Sequence, residues 1–164
     1  MISVDDAQNI IFESTNKLKS ENVDLIESLD RISHEDVLTT INLPRWDNSS
    51  MDGYALIIPE DSNENSLNKL EVAGEVYPGD DFIPQIKKNT AIKIMTGAPI
   101  PRGANCVIPK EEITLIESND QTNNQILIEK PIKIGDNIRK KGSDFTVGEK
   151  IISKGEKIRP FDVA

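Results

Sequence analysis

A change of texture after Pro44 constrains the fold more than any other feature of this chain. Downstream of it, apolar residues come in short runs: Tyr54 to Ile58, Leu70 to Val76, Ala91 to Met95, Cys106 to Pro109, Ile113 to Ile116 and Ile126 to Ile128. Each run has the length of a strand, and Gly, Pro, Asn and Asp stand between them. A chain punctuated this often cannot form a helical bundle. The pattern predicts a central all-β module, a small β-barrel-like unit. The polar stretch Ser118–Asn124 has the composition of a hairpin loop, and Asp61–Asn68 that of a polar connecting loop.

The flanks read differently. Ser3 is a candidate N-cap with Asp6 three residues on, and Val4, Ala7, Ile10 or Ile11, and Leu18 recur at helical spacing. Ser20-Glu21-Asn22 interrupts that helix, a short helical stretch follows Val23–Ile26, and Glu35–Ile41 is β-prone. Near the other end, Gly148-Glu149-Lys150-Ile151 is echoed by Gly155-Glu156-Lys157-Ile158. The glycines argue for strand and turn repeated twice, and against a heptad. Arg159–Ala164 reads as the entry to a helix. A helix that stops at its first turn is expected in a piece of a longer protein.

Composition limits the chemistry. Area scaling for 164 residues leaves about 69% of the unfolded surface available for burial, enough for one core or two small ones. A net charge of −9 disfavours nucleic acid as a partner. No apolar run approaches the roughly 18 residues of a membrane helix, so no membrane partner is expected. The N-terminus lacks the basic segment of a signal peptide, which predicts a cytoplasmic location. The single cysteine, Cys106, rules out an internal disulfide and any CxxC site, and the single histidine, His34, rules out HExxH. Cys106 is expected as a small buried hydrophobe and His34 at the surface. Catalysis would rest on carboxylates, hydroxyls, Lys and Arg.

Three stretches could carry it. The first, Pro44–Ala55, is polar and small at its centre and holds the only Trp. Its likeness to a calcium loop fails, because Pro59 stands where the bidentate Glu would be. Its plain reading is a loop ordered by side-chain hydrogen bonds, with Gly53 needed for its backbone angles. The second, Met95–Gly103, is a strand end followed by a Gly/Pro loop that exposes backbone amides and the Thr96 hydroxyl to an anion. An ordinary rigid turn has the same composition. The third, Asn137–Asp144, places Arg139, Lys140 and Lys141 beside glycine in an acidic chain. That run can attract an anion or can be a solvated charged face.

Taken together and in this order, the blocks DNSSMDGYA, IKIMTGAPIPRGANCVIPKEE and GDNIRKKGSDFTVGEKIISKGEKI resemble those of the MoeA family, to which the C-terminal domain of gephyrin also belongs. The resemblance runs over nearly the whole chain. It departs from the family pattern at Asp30, where glycine is usual, and at Asn105, where an acidic residue is usual. It implies a mainly β chain with minor α, in an elongated multidomain homodimer. Residues 1–46 and 138–164 would form a discontinuous mixed α/β linker region and 47–137 an inserted β-domain. A pterin-binding α/β domain and a C-terminal β-domain would lie outside this sequence.

The implied activity is insertion of molybdenum from molybdate into adenylylated molybdopterin, with release of AMP and involvement of a divalent cation such as magnesium. The active cleft would lie between subunits, so the chain alone should be inactive. Both substrates are anions and need cations and amide donors beside them. Arg139, Lys140 and Lys141, with Ser50 and Gly97, are the candidate substrate-binding residues. Asp52, Thr96 and Asp144 are the candidate catalytic residues, with Asp52 and Asp144 also the candidate metal carboxylates. The rival reading is a non-catalytic binding or dimerisation module.

Overall fold

The computed structural model describes residues 2–59, 69–116 and 124–163. The chain divides into two compact units, one of Met1–Leu38 with Lys150–Ala164 and one of Thr39–Glu149. The first opens with α1 (Val4–Ser14), a single 3-10 turn at Leu25–Ser28, and β1 (Val37–Leu38). The second holds β2 (Asn48–Ser49), β3 (Gly53–Leu56), β4 (Lys69–Val76), β5 (Thr90–Ile94), β6 (Cys106–Pro109), β7 (Ile113–Ile116), β8 (Gln125–Ile128) and β9 (Ile138–Arg139). The chain then returns to the first unit with β10 (Lys150–Ile152) and α2 (Pro160–Val163).

The mainly β character follows from the apolar runs, and the six longer strands β3 to β8 fall on them; β2 and β9 arise instead in the stretches read as a loop and a charge run. β3 to β8 assemble a 6-stranded sheet in the order β6-β3-β5-β4-β8-β7, curled into a half-barrel. Neighbours are antiparallel except β4 and β5, which run parallel. Parallel neighbours need a long crossover, and the connection from Tyr77 to Asn89 supplies it. β7 and β8 pair as the hairpin the sequence suggests. Residues 117–123 of its loop, and residues 60–68, which include Asp61–Asn68, lie outside the described residues.

The core sits against this sheet. Leu56, Ile94, Ile108, Ile126, Val76, Val107 and Cys106 are fully buried. Each large aliphatic side chain taken from water contributes about 1.5–3 kcal/mol. Cys106 is a small buried hydrophobe as expected; burial, with the nearby charge of Asp136, pushes its thiol up to about 12. His34 is exposed.

Gly53 corrects the sequence reading. Its φ is not positive; its requirement is space. A Cβ built there would lie 1.9 Å from the Ile108 carbonyl oxygen, so any side chain would force β3 and β6 apart. Asn105 explains one departure from the family pattern. Its Oδ1 accepts from the Ile58 N–H and its Nδ2 donates to the Ile58 carbonyl, both at 2.7 Å. A carboxylate could make only the first bond.

The glycine echo near the C-terminal end is a turn used repeatedly. At Thr146–Glu149 and Ser153–Glu156, Gly148 and Gly155 take φ of 84° and 85°, and the following Glu folds its carboxylate back onto the first residue's N–H at 3.0 Å. Tyr77–Asp80 and Lys133–Asp136 repeat the device with Asp, at 2.8 Å each. A left-handed third residue favours glycine, and the carboxylate satisfies an amide the turn would leave open.

The first unit is built from hydrogen bonds, some local and some joining its two chain segments. Ser3 caps α1 by accepting from the Asp6 N–H at 3.1 Å, and its own hydroxyl donates to the Asp6 carboxylate at 2.6 Å. β1 pairs antiparallel with β10, and a bridge joins Ile32 to Lys157. Asp36 accepts from the Lys154 N–H at 2.7 Å and pairs with Lys150 at 2.9 Å. Asp30, at the other departure from the family pattern, takes φ +64°, a region glycine enters freely and aspartate tolerates. α2 begins where Arg159-Pro160 predicts it, with Asp162 accepting from the Arg159 N–H at 2.8 Å. Among the described residues no helix is long and apolar enough to cross a membrane.

Candidate functional site

All the candidate residues lie in the Thr39–Glu149 unit, and β2 organises them. On one side Ser49 exchanges backbone bonds with the glycine loop, donating to the Ala98 carbonyl at 3.0 Å and accepting from the Gly97 N–H at 2.8 Å. On the other side Asn48 and Ser49 pair antiparallel with Arg139 and Ile138, and the Ser50 N–H donates to the Asn137 carbonyl at 3.0 Å. The three stretches singled out in the sequence are thus stitched into one layer.

β2 also separates the candidates into two groups. At the end toward Asp52, the Asp52 Oδ1 accepts from both the N–H and the hydroxyl of Thr96, each at 2.9 Å. Its Oδ2 faces the Lys110 ammonium at 3.4 Å, and the Lys110 N–H donates to the Asp52 carbonyl at 3.0 Å. The Thr96 amide and hydroxyl, then Lys110, hold the Asp52 carboxyl below the usual aspartate range. The carboxylate is therefore ionised at neutral pH and a weak proton acceptor. The one hydroxyl proton of Thr96 goes to Asp52, leaving its oxygen lone pairs for other groups.

At the other end, the Asp47 carboxylate accepts from the Lys140 ammonium and the Lys141 N–H, both at 2.8 Å. Lys140 and then Lys141 lower its pKa. Arg139 forms an ion pair with Asp144 and lowers the Asp144 pKa. Ser143 also donates to Asp144, at 3.3 Å. The Lys141 side chain forms no ion pair among the described residues. Between Asp47 and Asp52 the chain can span at most about 17 Å.

The structure therefore brings Asp52 together with Thr96, and Arg139 together with Asp144. Ser50 is exposed beside β2, and Gly97 takes φ +84° at the turn that presents Thr96. Among the described residues no three His, Cys, Asp or Glu side chains cluster as a metal site. Asp52 and Asp144 each engage protein partners of their own. Sequence reading missed Asp47 and Lys110. Lys110 lay inside a quoted block, and its signal was a cation directly after a strand end, legible only once β6 is paired with β3.

Comparison with known proteins shows what the chain as a whole is similar to. A molybdopterin molybdenumtransferase from Haemophilus influenzae is 35% identical over 164 residues, which are 99% of this chain and 39% of that protein. One from Synechococcus elongatus is 34% identical over 149 residues, 88% of this chain and 35% of that protein. The crystal structure of a molybdopterin biosynthesis MoeA protein from Pyrococcus horikoshii superimposes with a TM-score of 0.79 at 30% identity, covering 99% of this chain and 40% of that one. The chain thus spans about two fifths of the length of these relatives. The family described as the MoeA N-terminal region, domains I and II, matches residues 2–164. The chain belongs to that family.

Proposed function

We propose that this chain is the N-terminal part of a molybdenum cofactor biosynthesis enzyme that inserts molybdenum from molybdate into adenylylated molybdopterin and releases AMP. The observation that carries the reading is the match of the whole chain to relatives named for molybdenum transfer, with its candidate residues gathered along β2. On this reading residues 1–46 and 138–164 form the linker region and 47–137 the inserted β-domain. The active cleft is completed by a pterin-binding domain from the other subunit of a cytoplasmic homodimer. The isolated chain then lacks the surfaces that position both reactants.

In this scheme Arg139, Lys140 and Lys141 bind the anionic substrates beside Ser50. The exposed amides expected of the Gly97 turn are instead bonded within the protein, Thr96 to Asp52, Gly97 to Ser49 and Ala98 to Met95, so the turn positions Thr96 against Asp52 and does not itself offer donors to an anion. Asp52, ionised and hydrogen-bonded, acts through its charge. A divalent cation such as magnesium is part of the reading, with Asp52 or Asp144 as a carboxylate ligand; the two lie at opposite ends of β2, each beside its own cation, and do not converge on one ion. Either fits in donor type as a single ligand: magnesium at nucleotide sites takes one or two carboxylates and fills its other positions with phosphate oxygens and water. When bound, the ion would offset the charge of the pyrophosphate.

The test is AMP release by the full-length protein supplied with adenylylated molybdopterin and molybdate. Asp52→Ala should lower turnover on the order of 10²–10³-fold, as expected for loss of one positioned electrostatic group, far beyond what the modest fall in melting temperature from its lost bonds to Thr96 would produce. Near-normal turnover in that variant would end the role of Asp52, and no AMP release by the unaltered protein would end the reading.

A further inference from the structure

Both proposed substrates are anions, yet the proposed function assigns a carboxylate, Asp52, to their site. The strand pairing shows what lies beside Asp52. In the β3–β6 ladder Gly53 is opposite Pro109, so Asp52 and Lys110 are the next residues in the same register. In the β3–β5 ladder Gly53 is opposite Ile94, which leads on to Met95 and Thr96. Met95 falls opposite Asp52 in that register, and Thr96, one residue on, reaches the Asp52 carboxylate by its N–H and hydroxyl, so Lys110, Asp52 and Thr96 meet just beyond the adjoining ends of three neighbouring strands. The close approach that Gly53 permits fixes that arrangement, because its missing Cβ lets β3 press on the Ile108 carbonyl. The Lys110 N–H bond to the Asp52 carbonyl at 3.0 Å anchors the backbone of the pair.

The ammonium itself is not consumed by this contact. It lies 3.4 Å from Oδ2, longer than a tight ion pair, and its side chain is 59% exposed against 35% for Asp52. The other cations near β2 are differently placed. Arg139 pairs with Asp144 and Lys140 with Asp47, at the opposite end of β2.

Resting on the proposed function, we propose that Lys110 is a substrate-binding residue whose ammonium lies between Asp52 and a tetrahedral oxyanion. It supplies from the chain itself the positive charge that lets that carboxylate sit at an anion site. Arg139, Lys140 and Lys141 then serve the other anion. The oxyanion at Lys110 is either molybdate or a phosphate of the nucleotide, since one ammonium recognises both by the same charge and hydrogen bonds.

The experiment uses the full-length protein, at saturating magnesium so that metal supply is not the variable. AMP release is measured for the unaltered protein, Lys110→Met and Lys110→Arg, varying molybdate at fixed adenylylated molybdopterin and then the reverse. Binding of tungstate, an unreactive probe of the molybdate site, is measured in parallel. Lys110→Met should raise the KM for one of the two substrates about fivefold or more, the worth of one charge at about 4 Å in water. Lys110→Arg should restore most of it, and melting temperatures should agree. A rise confined to molybdate, with weaker tungstate binding, assigns the seat to molybdate; a rise confined to the nucleotide substrate, with tungstate binding unchanged, assigns it to phosphate. An active unaltered protein whose Lys110→Met variant keeps both KM values overturns the role of Lys110 and leaves the proposed function standing. No AMP release by the unaltered protein overturns the proposed function, and the Lys110 role with it.

Discussion

The two compact units of this chain are held by different physics. In Thr39–Glu149 the six-stranded sheet buries one continuous apolar cluster. Among the described residues, every buried hydrophobic side chain except Ile152 belongs to it. In the unit of Met1–Leu38 and Lys150–Ala164, α1 buries none of its residues, and Phe12, Leu18, Leu25 and Phe161 are all exposed. That unit relies on caps, short ladders and carboxylate–amide bonds. A hydrogen bond contributes about 0.5–1.5 kcal/mol net, whereas ordering one residue's backbone costs about 1–2 kcal/mol. Hydrogen bonds and ion pairs with little apolar burial behind them can therefore define a conformation without supplying much stability, and stability here resides in the sheet.

The sharpest way to break this contrast uses two glycines. Gly53→Ala must part β3 from β6 and should cost about 4 kcal/mol or more, the range of severe core lesions. Gly155→Ala meets nothing within 4 Å and carries only the strain of φ +85°, about 1–2 kcal/mol. Urea denaturation of both variants checks the pair, and similar losses would erase the distinction.

Truncations come next. Leu56→Ala should cost about 2–5 kcal/mol, whereas Phe12→Ala, at a site 73% exposed, should stay within about 0.5 kcal/mol. A comparable loss at Phe12 would show that α1 carries stability in this chain. A smaller effect is expected of Asn105→Asp. It keeps the acceptor for the Ile58 N–H but leaves the Ile58 carbonyl without its donor, for about 1–3 kcal/mol. A thermal melt indistinguishable from the unaltered chain would refute the clamp.

The smallest effects are electrostatic. Asp36 and Asp162 in one unit, and Asp47, Asp52 and Asp144 in the other, all have pKa values below the ordinary 3.8. An aspartate depressed on folding contributes stability above its unfolded value and loses it as pH falls through its folded one. Melting temperature should therefore be level at neutral pH and decline below about pH 4. Asp36→Asn should flatten part of that decline, because its amide oxygen can still accept from the Lys154 N–H at any pH while the ionisation-dependent pair with Lys150 is gone. An acid limb unchanged in that variant would count against the role of Asp36.

Much of the sheet was legible beforehand. Cys106–Pro109 and Ile113–Ile116 are strands over the very residues the apolar runs mark, and Ser3 caps α1 as its spacing with Asp6 suggests. These features are local: hydrophobic alternation, turn residues and caps act over a few positions. The candidate site was legible in part. Its three stretches were visible, but their partners were not. Asp47 meets Lys140 across 93 positions and Asp52 meets Lys110 across 58, distances over which no local pattern operates.

The sequence alone determined the mainly β composition, the positions of the strands in the large sheet, the capped first helix, the reliance on carboxylates and cations, and a family resemblance strong enough to guide the rest. The tertiary structure decided which strands are neighbours. It made β4 and β5 parallel, placed β2 between the glycine loop and β9, and turned Gly53 from a matter of backbone angle into one of clearance. It also separated the charged residues into two groups. Pairing is decided by the joint burial of side chains far apart in the chain, and that quantity exists only once the sheet has closed around its core.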